Sequence, residues 1–300
     1  MNLIKPKRLQ KGDTIAIIAP AGEVNIQKIE KAKQQIETLG YKVKLGSNIK
    51  KQKHYLAGND KERLADLHWG FEDNDIKAIM CARGGYGAIR LINEINYELI
   101  KNNPKIFCGY SDITALHAMI TKNTGLVTFL GPMAQSDFAE DEIDNYTLNN
   151  FINATTTAEM EIKPIYNKVY NNKDCEGILF GGNLSTLTSL CGQDFIPNDP
   201  FILVAEDLNE PTYKLDRYFT QLFNIDKFRT NITGIILGEF LDIDDKEAFH
   251  DFLLELSSQY NIPIFGTYPV THNKTKATVP IGAVARIENE TIKIKDFTVE

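Results

Sequence analysis

Hydrophobic and polar positions divide this chain into short, continuous apolar runs that alternate with stretches in which apolar residues recur every three or four positions. Residues 14–19 form such a run, closed by Pro20-Ala21-Gly22, as expected of a parallel strand covered on both faces. Ile26, Ile29, Ala32, Ile36 and Leu39 then mark one face of a predicted helix ending at Gly40. Residues 41–45 alternate as a second strand, and 61–71 return to helical spacing through Leu64 and Leu67. A third strand over 76–81 feeds the turn Arg83-Gly84-Gly85-Tyr86-Gly87, after which Ile89, Leu91 and Ile92 predict the start of a helix. Pro104 precedes a fourth strand, 106–109, and from Ser111 the residues Ile113, Leu116 and Ile120 again repeat with helical spacing. The first half thus reads as β-α-β-α with at least four junctions between a strand and a loop.

Residues 137–153 are acidic and polar, and periodicity weakens from 155 to 174, which suggests a boundary. Beyond it come Gly177-Ile178-Leu179-Phe180-Gly181-Gly182-Asn183, a helix over 184–190, a strong strand at 201–205 and a helix containing Tyr218, Leu222 and Phe223. A strand at 232–237 and a helix at 249–260 follow. Residues 283–287 and 291–295 flank Glu288-Asn289-Glu290 as a predicted hairpin.

A length of 300 residues exceeds the usual domain of roughly 100–200, so two domains or one large α/β domain are expected. The net charge of −7 and the absence of a basic stripe beyond Lys50-Lys51-Gln52-Lys53 argue against nucleic acid or an anionic membrane as partner. Charged residues near the N-terminus without an apolar core segment, and no long apolar window, predict a cytosolic chain. The cysteines at 81, 108, 175 and 191 show no C-x-x-C pairing and read as buried free thiols, so no metal site or disulfide framework is predicted.

The strand-to-helix joint at Ser111 has the design of a nucleophile elbow, in which a hydroxyl stands where free backbone N–H groups favour negative charge. Gly109-Tyr110-Ser111-Asp112-Ile113 matches G-x-S-x-G only in part, and a serine capping a helix fits the same pattern. In open parallel sheets functional groups collect at the C-terminal ends of strands, which can bring the Gly84-Gly85 turn and Ser111 to one rim. A serine nucleophile needs a base, and the base an orienting partner. His117 is six residues into the helix that Ser111 begins, roughly 9 Å along the axis and out of reach. His54 sits in a lysine-rich loop, and His68 and His250 fall in helical patterns. His272 follows apolar chain and precedes irregular Asn273-Lys274-Thr275-Lys276, which suits either a base or an exposed loop histidine. Glu206, the first polar residue after the 201–205 run, is the best-placed acid, with Asp207 and Asp112 as competitors.

Five motifs in order resemble the LD-carboxypeptidase family of serine peptidases, which also contains the microcin C immunity hydrolases. They are Arg83-Gly84-Gly85-Tyr86-Gly87, Gly109 to Thr114, Gly181-Gly182-Asn183-Leu184, Glu206 to Arg217, and His272 before Pro280-Ile281-Gly282. The resemblance implies an α/β protein with a Rossmann-like parallel-sheet domain over 1–150, a linker over 151–175 and a smaller α/β domain over 176–300, the active site in the cleft between them. It implies Ser111 as nucleophile, His272 as base and Glu206 as orienting acid. The oxyanion hole would use the N–H of Asp112 and one from the turn at Gly85, and Arg83, Tyr213 and Arg217 stand in motifs placed at the cleft. No cofactor or metal is implied, and a homodimer is. One departure is Thr271, where the family commonly has glycine before the histidine.

The expected reaction is therefore release of a terminal D-Ala from a cytosolic murein tetrapeptide during peptidoglycan recycling. The alternative within the family is an amidase acting on aminoacyl-nucleotide analogues. Those relatives stack a tryptophan of the inter-domain loop on the base, whereas the one tryptophan here is Trp69 and the boundary offers Tyr166 and Tyr170. A nucleotide-binding module is a third reading, but it lacks a phosphate-loop motif and leaves Ser111, Glu206 and His272 without a role.

Overall fold

The structure, a computed structural model, describes residues 3–157, 159–294 and 299. The apolar runs of the first half become strands because both their faces are covered. β1 (Thr14–Ile18) is buried at every position. It leads into α1 (Ile26–Thr38), where the Asn25 side chain accepts from the backbone of Gln27 and Lys28, and Ile29, Ala32 and Ile36 face the core. β2 (Lys42–Leu45), α2 (Asp60–Glu72) and β3 (Ile76–Cys81) follow, α2 opening with a reciprocal capping box between Asn59 and Glu62.

The helix predicted from Ile89 is not formed: Ala88–Arg90 is a single 3-10 turn, and α3 (Tyr97–Asn102) starts only after the Asn96 cap. The reason is that the Gly87–Ala88 peptide at its start is held from outside: Ala88 N donates to Asp112 Oδ2 at 2.8 Å, and Gly87 O, which a continuing helix would offer to Leu91 N, accepts from the buried Arg63 at 2.8 Å. β4 (Ile106–Gly109) runs through a 3-10 turn, Ser111–Ile113, into α4 (Thr114–Thr124), then β5 (Thr128–Leu130). A π-helical turn, Ala134–Phe138, and α5 (Asn145–Thr156) close this half.

β6 (Met160–Ile162), β7 (Lys168–Tyr170), β8 (Cys175–Asn183), α6 (Leu184–Thr188) and β9 (Phe201–Leu208) come next. They are followed by α7 (Thr212–Phe223), α8 (Asp226–Asn231), β10 (Ile232–Leu241), α9 (Lys246–Tyr260) and β11 (Ile264–Gly266). β12 (Val279–Ile281) and the predicted hairpin, β13 (Val284–Glu288) and β14 (Thr291–Ile294), complete the order. Lys295, the predicted last residue of that hairpin, lies outside the described residues.

Two sheets result. The first has the order β12-β5-β4-β3-β1-β2, parallel except for β12. The second has the order β6-β14-β13-β8-β9-β10-β11-β7, with β8 to β11 parallel at its centre. Strands β6 and β7, from the weakly periodic stretch before residue 175, are its two edges. After β11 the chain returns to the first sheet, where β12 pairs antiparallel with β5, and then goes back to β13. No helix of the described residues is long and apolar enough to cross a membrane.

The sheets meet where β8 ends. Gly182 has φ +141°, and a Cβ there would stand 2.5 Å from Thr114 Oγ1. The bare backbone lets Asn183 N donate to Thr114 Oγ1 at 3.0 Å. Gly182→Ala should therefore destabilise by more than the roughly 1–3 kcal/mol of left-handed strain alone. Gly192→Ala serves as the control, since Gly192 has φ +105° but nothing within 4 Å of an added Cβ. Equal losses in denaturant melts of the two variants would mean that the β8–α4 contact yields without cost.

Candidate active site

β4 delivers the chain to Ser111, whose φ of 61° is left-handed backbone that a residue with a side chain adopts only when its surroundings force it. A strained turn between strand and helix is what a nucleophile elbow requires, and no side-chain cap hydrogen bond is made at this joint. The turn after β3 lies directly against it: a Cβ on Gly84 would be 2.9 Å from Ser111 Oγ and 3.4 Å from Asp112 N. Gly84 O in turn accepts from Gly22 N at 3.1 Å, and Gly85 has φ +108°. The glycine turn and the serine thus share one rim, as the strand order predicts.

Glu206 and Asp207 are consecutive in β9 and point to opposite faces. Glu206, 2% exposed, accepts from His272 Nδ1 at 2.8 Å through Oε2. With Nδ1 protonated, Nε2 of the neutral ring is left as the acceptor. Asp207 instead accepts from Asn183 Nδ2 at 2.9 Å and from the backbone of Ser185 and Leu208 at 2.8 and 2.9 Å. Asp112 Oδ2 accepts from Ala88 N at 2.8 Å. Burial pushes both aspartates up to about 6, against the pull of those backbone donors. Of the three acids, Glu206 is the one that meets a histidine.

The backbone of His272 is set by its neighbours. Thr271 is buried, and its Oγ1 accepts from Asn273 N at 3.0 Å, closing a small turn. The His272 ring meets the Tyr110 ring edge to face at 5.2 Å. Ser111, His272, Arg83, Gly85, Lys28 and Gln135 all line one cavity of about 250 Å³. A larger apolar cavity of about 310 Å³, around Leu3, Ile178 and Pro200, shares none of these residues.

Residues 15–131 match the LD-carboxypeptidase N-terminal domain, and residues 176–287 the LD-carboxypeptidase C-terminal domain. This chain belongs to the LD-carboxypeptidase family. It is 39% identical to the "Probable murein peptide carboxypeptidase" of Bacillus subtilis over 94% of this chain and 90% of the relative. It is 30% identical to the "Murein tetrapeptide carboxypeptidase" of Pseudomonas aeruginosa, over 93% and 94%. Among solved structures, the muramoyltetrapeptide carboxypeptidase of Oxalobacter formigenes superposes with a TM-score of 0.87 at 30% identity, covering 95% of this chain and 99% of that one. An MccF-like protein from Bacillus anthracis superposes with a TM-score of 0.89 at 29% identity, covering 98% and 99%. Membership makes the protein a serine peptidase by family and accounts for the two-sheet architecture.

Three of the other four histidines of this family member have structural partners, and His54 is exposed in its loop. His117 is buried with Nε2 2.8 Å from Gly109 O, and burial pushes it down to about 4. His68 accepts from Asn96 N, and His250 bonds the Tyr170 hydroxyl. Tyr213 and Arg217 are exposed on α7 and do not line the cavity around Ser111, whereas Arg83 does. Lys28 is a lining residue that the motifs do not mark. Its position was legible all the same, because it lies in the first turn of the helix after β1, at the C-terminal rim of a parallel strand.

Burial opposes protonation of His272, but the hydrogen bond and charge of Glu206, with a contribution from Asp207, outweigh it and hold the imidazole above its ordinary value. Glu206→Gln removes the charge and keeps the shape, so the His272 titration should move to lower pH. An NMR titration of the ring in both proteins measures this, and an unmoved midpoint would mean that Glu206 does not govern the imidazole.

Proposed function

We propose that this protein is a serine carboxypeptidase that hydrolyses the L,D-peptide bond before the terminal D-Ala of a murein tetrapeptide. The observation that carries the reading is the convergence of a left-handed Ser111 and a Glu206-bound His272 on one polar cavity that also holds Arg83 and Lys28. The names of the relatives support the substrate class.

In this reading His272 Nε2 takes the proton of Ser111 as Oγ attacks the scissile carbonyl, and Glu206 stabilises the resulting imidazolium. The oxyanion receives hydrogen bonds from the N–H of Asp112, at the start of a helix, and of Gly85 in the facing turn. Collapse passes the proton from His272 to the departing D-Ala nitrogen and leaves an acyl-serine. Water, deprotonated by the same imidazole, then frees the shortened peptide. The free carboxylate of the D-residue needs cations, and arginine is the strongest reader of a carboxylate. Arg83 and Lys28 are therefore the groups we assign to it; Lys28 makes no ion pair among the described residues, and Arg83 donates one bond, to Glu23 O at 3.2 Å. Tyr213 and Arg217, off the cavity wall, are left for a more distant part of the peptide. The cytosolic recycling role and a homodimer are parts of this proposal.

Ser111→Ala should lower kcat by roughly 10⁶-fold, the scale for loss of a serine nucleophile, with the melting temperature nearly unchanged. Retained hydrolysis with a lowered melting temperature would return Ser111 to helix capping. The wild type should release D-Ala from a tetrapeptide ending in diamino acid–D-Ala without added metal, and should act poorly on the L-Ala epimer. Mass spectrometry of the products tests this, and equal rates on the epimers would overturn the substrate. The rate kcat/KM should fall on the acid side with an apparent pKa above the ordinary histidine value of about 6.5, because His272 must be neutral to accept a proton and Glu206 favours its charged form. In Glu206→Gln that limb should move to lower pH while the rate drops.

A further inference from the structure

Four residues after His272, Lys276 is buried and ion-paired with buried Asp137 of the π-helical turn. Asp137 Oδ2 also accepts from Met133 N at 2.8 Å, and its neighbours Gln135 and Ser136 line the cavity around Ser111. The Lys276 ammonium stands 4.8 Å from the centroid of the Tyr110 ring, the same ring that His272 meets. Its backbone N donates to Thr147 Oγ1 at 2.9 Å, and that hydroxyl donates to Lys274 O at 2.9 Å, so the whole loop is fixed to α5. Burying two charges costs several kcal/mol per ion, which their attraction only roughly offsets. Stability alone does not account for the pair.

A second, independent observation lies on the other side of Lys276. Oε1 of Glu206 is buried and has no hydrogen-bond partner, which for a carboxylate oxygen is costly. Glu206 and Lys276 both line a small cavity of about 10 Å³, together with Tyr110, Gly131 and Thr271. That is about the room one water occupies. An ammonium has three N–H donors; Asp137 takes one and the Tyr110 face another, which leaves one for this cavity.

We propose that Lys276 is a positioning residue for the Glu206–His272 pair: its ammonium, anchored by Asp137, reaches Glu206 Oε1 through one water held in this cavity. The chain Asp137, Lys276, water, Glu206, His272 extends the acid–base pair across to the half of the molecule that carries Ser111. A carboxylate gripped at both oxygens cannot rotate away from the imidazole, so Nε2 stays aimed at the serine. The inference rests on reading Ser111, Glu206 and His272 as a triad.

The test uses Lys276→Met and the double variant Asp137→Asn/Lys276→Met, the second of which leaves no lone buried charge and so keeps the fold within reach. Both should react with a fluorophosphonate at Ser111 roughly tenfold or more slowly than wild type, the scale on which partners of a functional group act. On peptide substrate kcat should fall while KM stays within about twofold, since no substrate contact is removed. The downfield Nδ1–H proton of His272 should move upfield in both variants, a change that a merely structural role would not produce. A crystal structure of the wild type at atomic resolution should show the water between Lys276 and Glu206. Labelling at the wild-type rate with an unmoved Nδ1–H signal in the double variant, or a dry cavity, would overturn the proposal. Failure of the triad reading is distinguishable, because His272→Ala would then label as fast as wild type.

Discussion

Ser111 and Glu206 belong to different sheets, and their separation is fixed where the end of β8 docks on the start of α4. Gly182 has no side chain there, so Asn183 N reaches Thr114 Oγ1, three residues past Ser111. Asn183 is also the β8 partner of Glu206 in the sheet register. One short contact thus sets the distance from the serine to the acid, and through the acid to the imidazole. In the catalytic reading proposed above, a shift of about 1 Å in such a geometry costs a large factor in rate, a demand that a Gly-Gly-Asn strand end meets and an ordinary apolar one does not.

The buried acids around the cleft do different work from what their proximity suggests. Asp112 holds the 3-10 turn after Gly87, and Asp207 ties together Asn183, Ser185 and Leu208. Both are fasteners that satisfy backbone donors in a region where the chain has no regular ladder. They leave Glu206 as the acid that hydrogen-bonds His272. A cleft built from such fasteners presents its reactive groups on rigid supports.

Much of this was legible in the residues. Continuous apolar runs betrayed β1, β3, β4, β9 and β10, because a strand buried on both faces writes its length into local composition. Ser111, Glu206 and His272 could be singled out by position relative to those runs, and Thr271 departs from the family pattern without needing glycine's backbone freedom. The helix predicted from Ile89 failed because Leu91, Ile92 and Ile95 are buried by irregular chain pinned at Ala88 and Gly87. The edge strands β6, β7 and β12 have three residues each, too few for any period to register. Asp137 and Lys276 are 139 positions apart, and nothing local to either announces the other.

The return of β12 to the first sheet also bears on how the molecule is made. Its pairing with β5 covers an edge whose N–H and C=O groups otherwise face outward, the kind of edge on which foreign strands assemble. β5 ends at Leu130, and the strand that covers it ends at Ile281, so about 150 residues must be synthesised in between. At ribosomal speeds of about 5–20 residues per second, that edge stays open for roughly 8–30 s during every round of translation. The first half of the chain therefore emerges as a nearly finished domain with its β5 flank uncovered, and the segment that bears His272 is also the one that seals it.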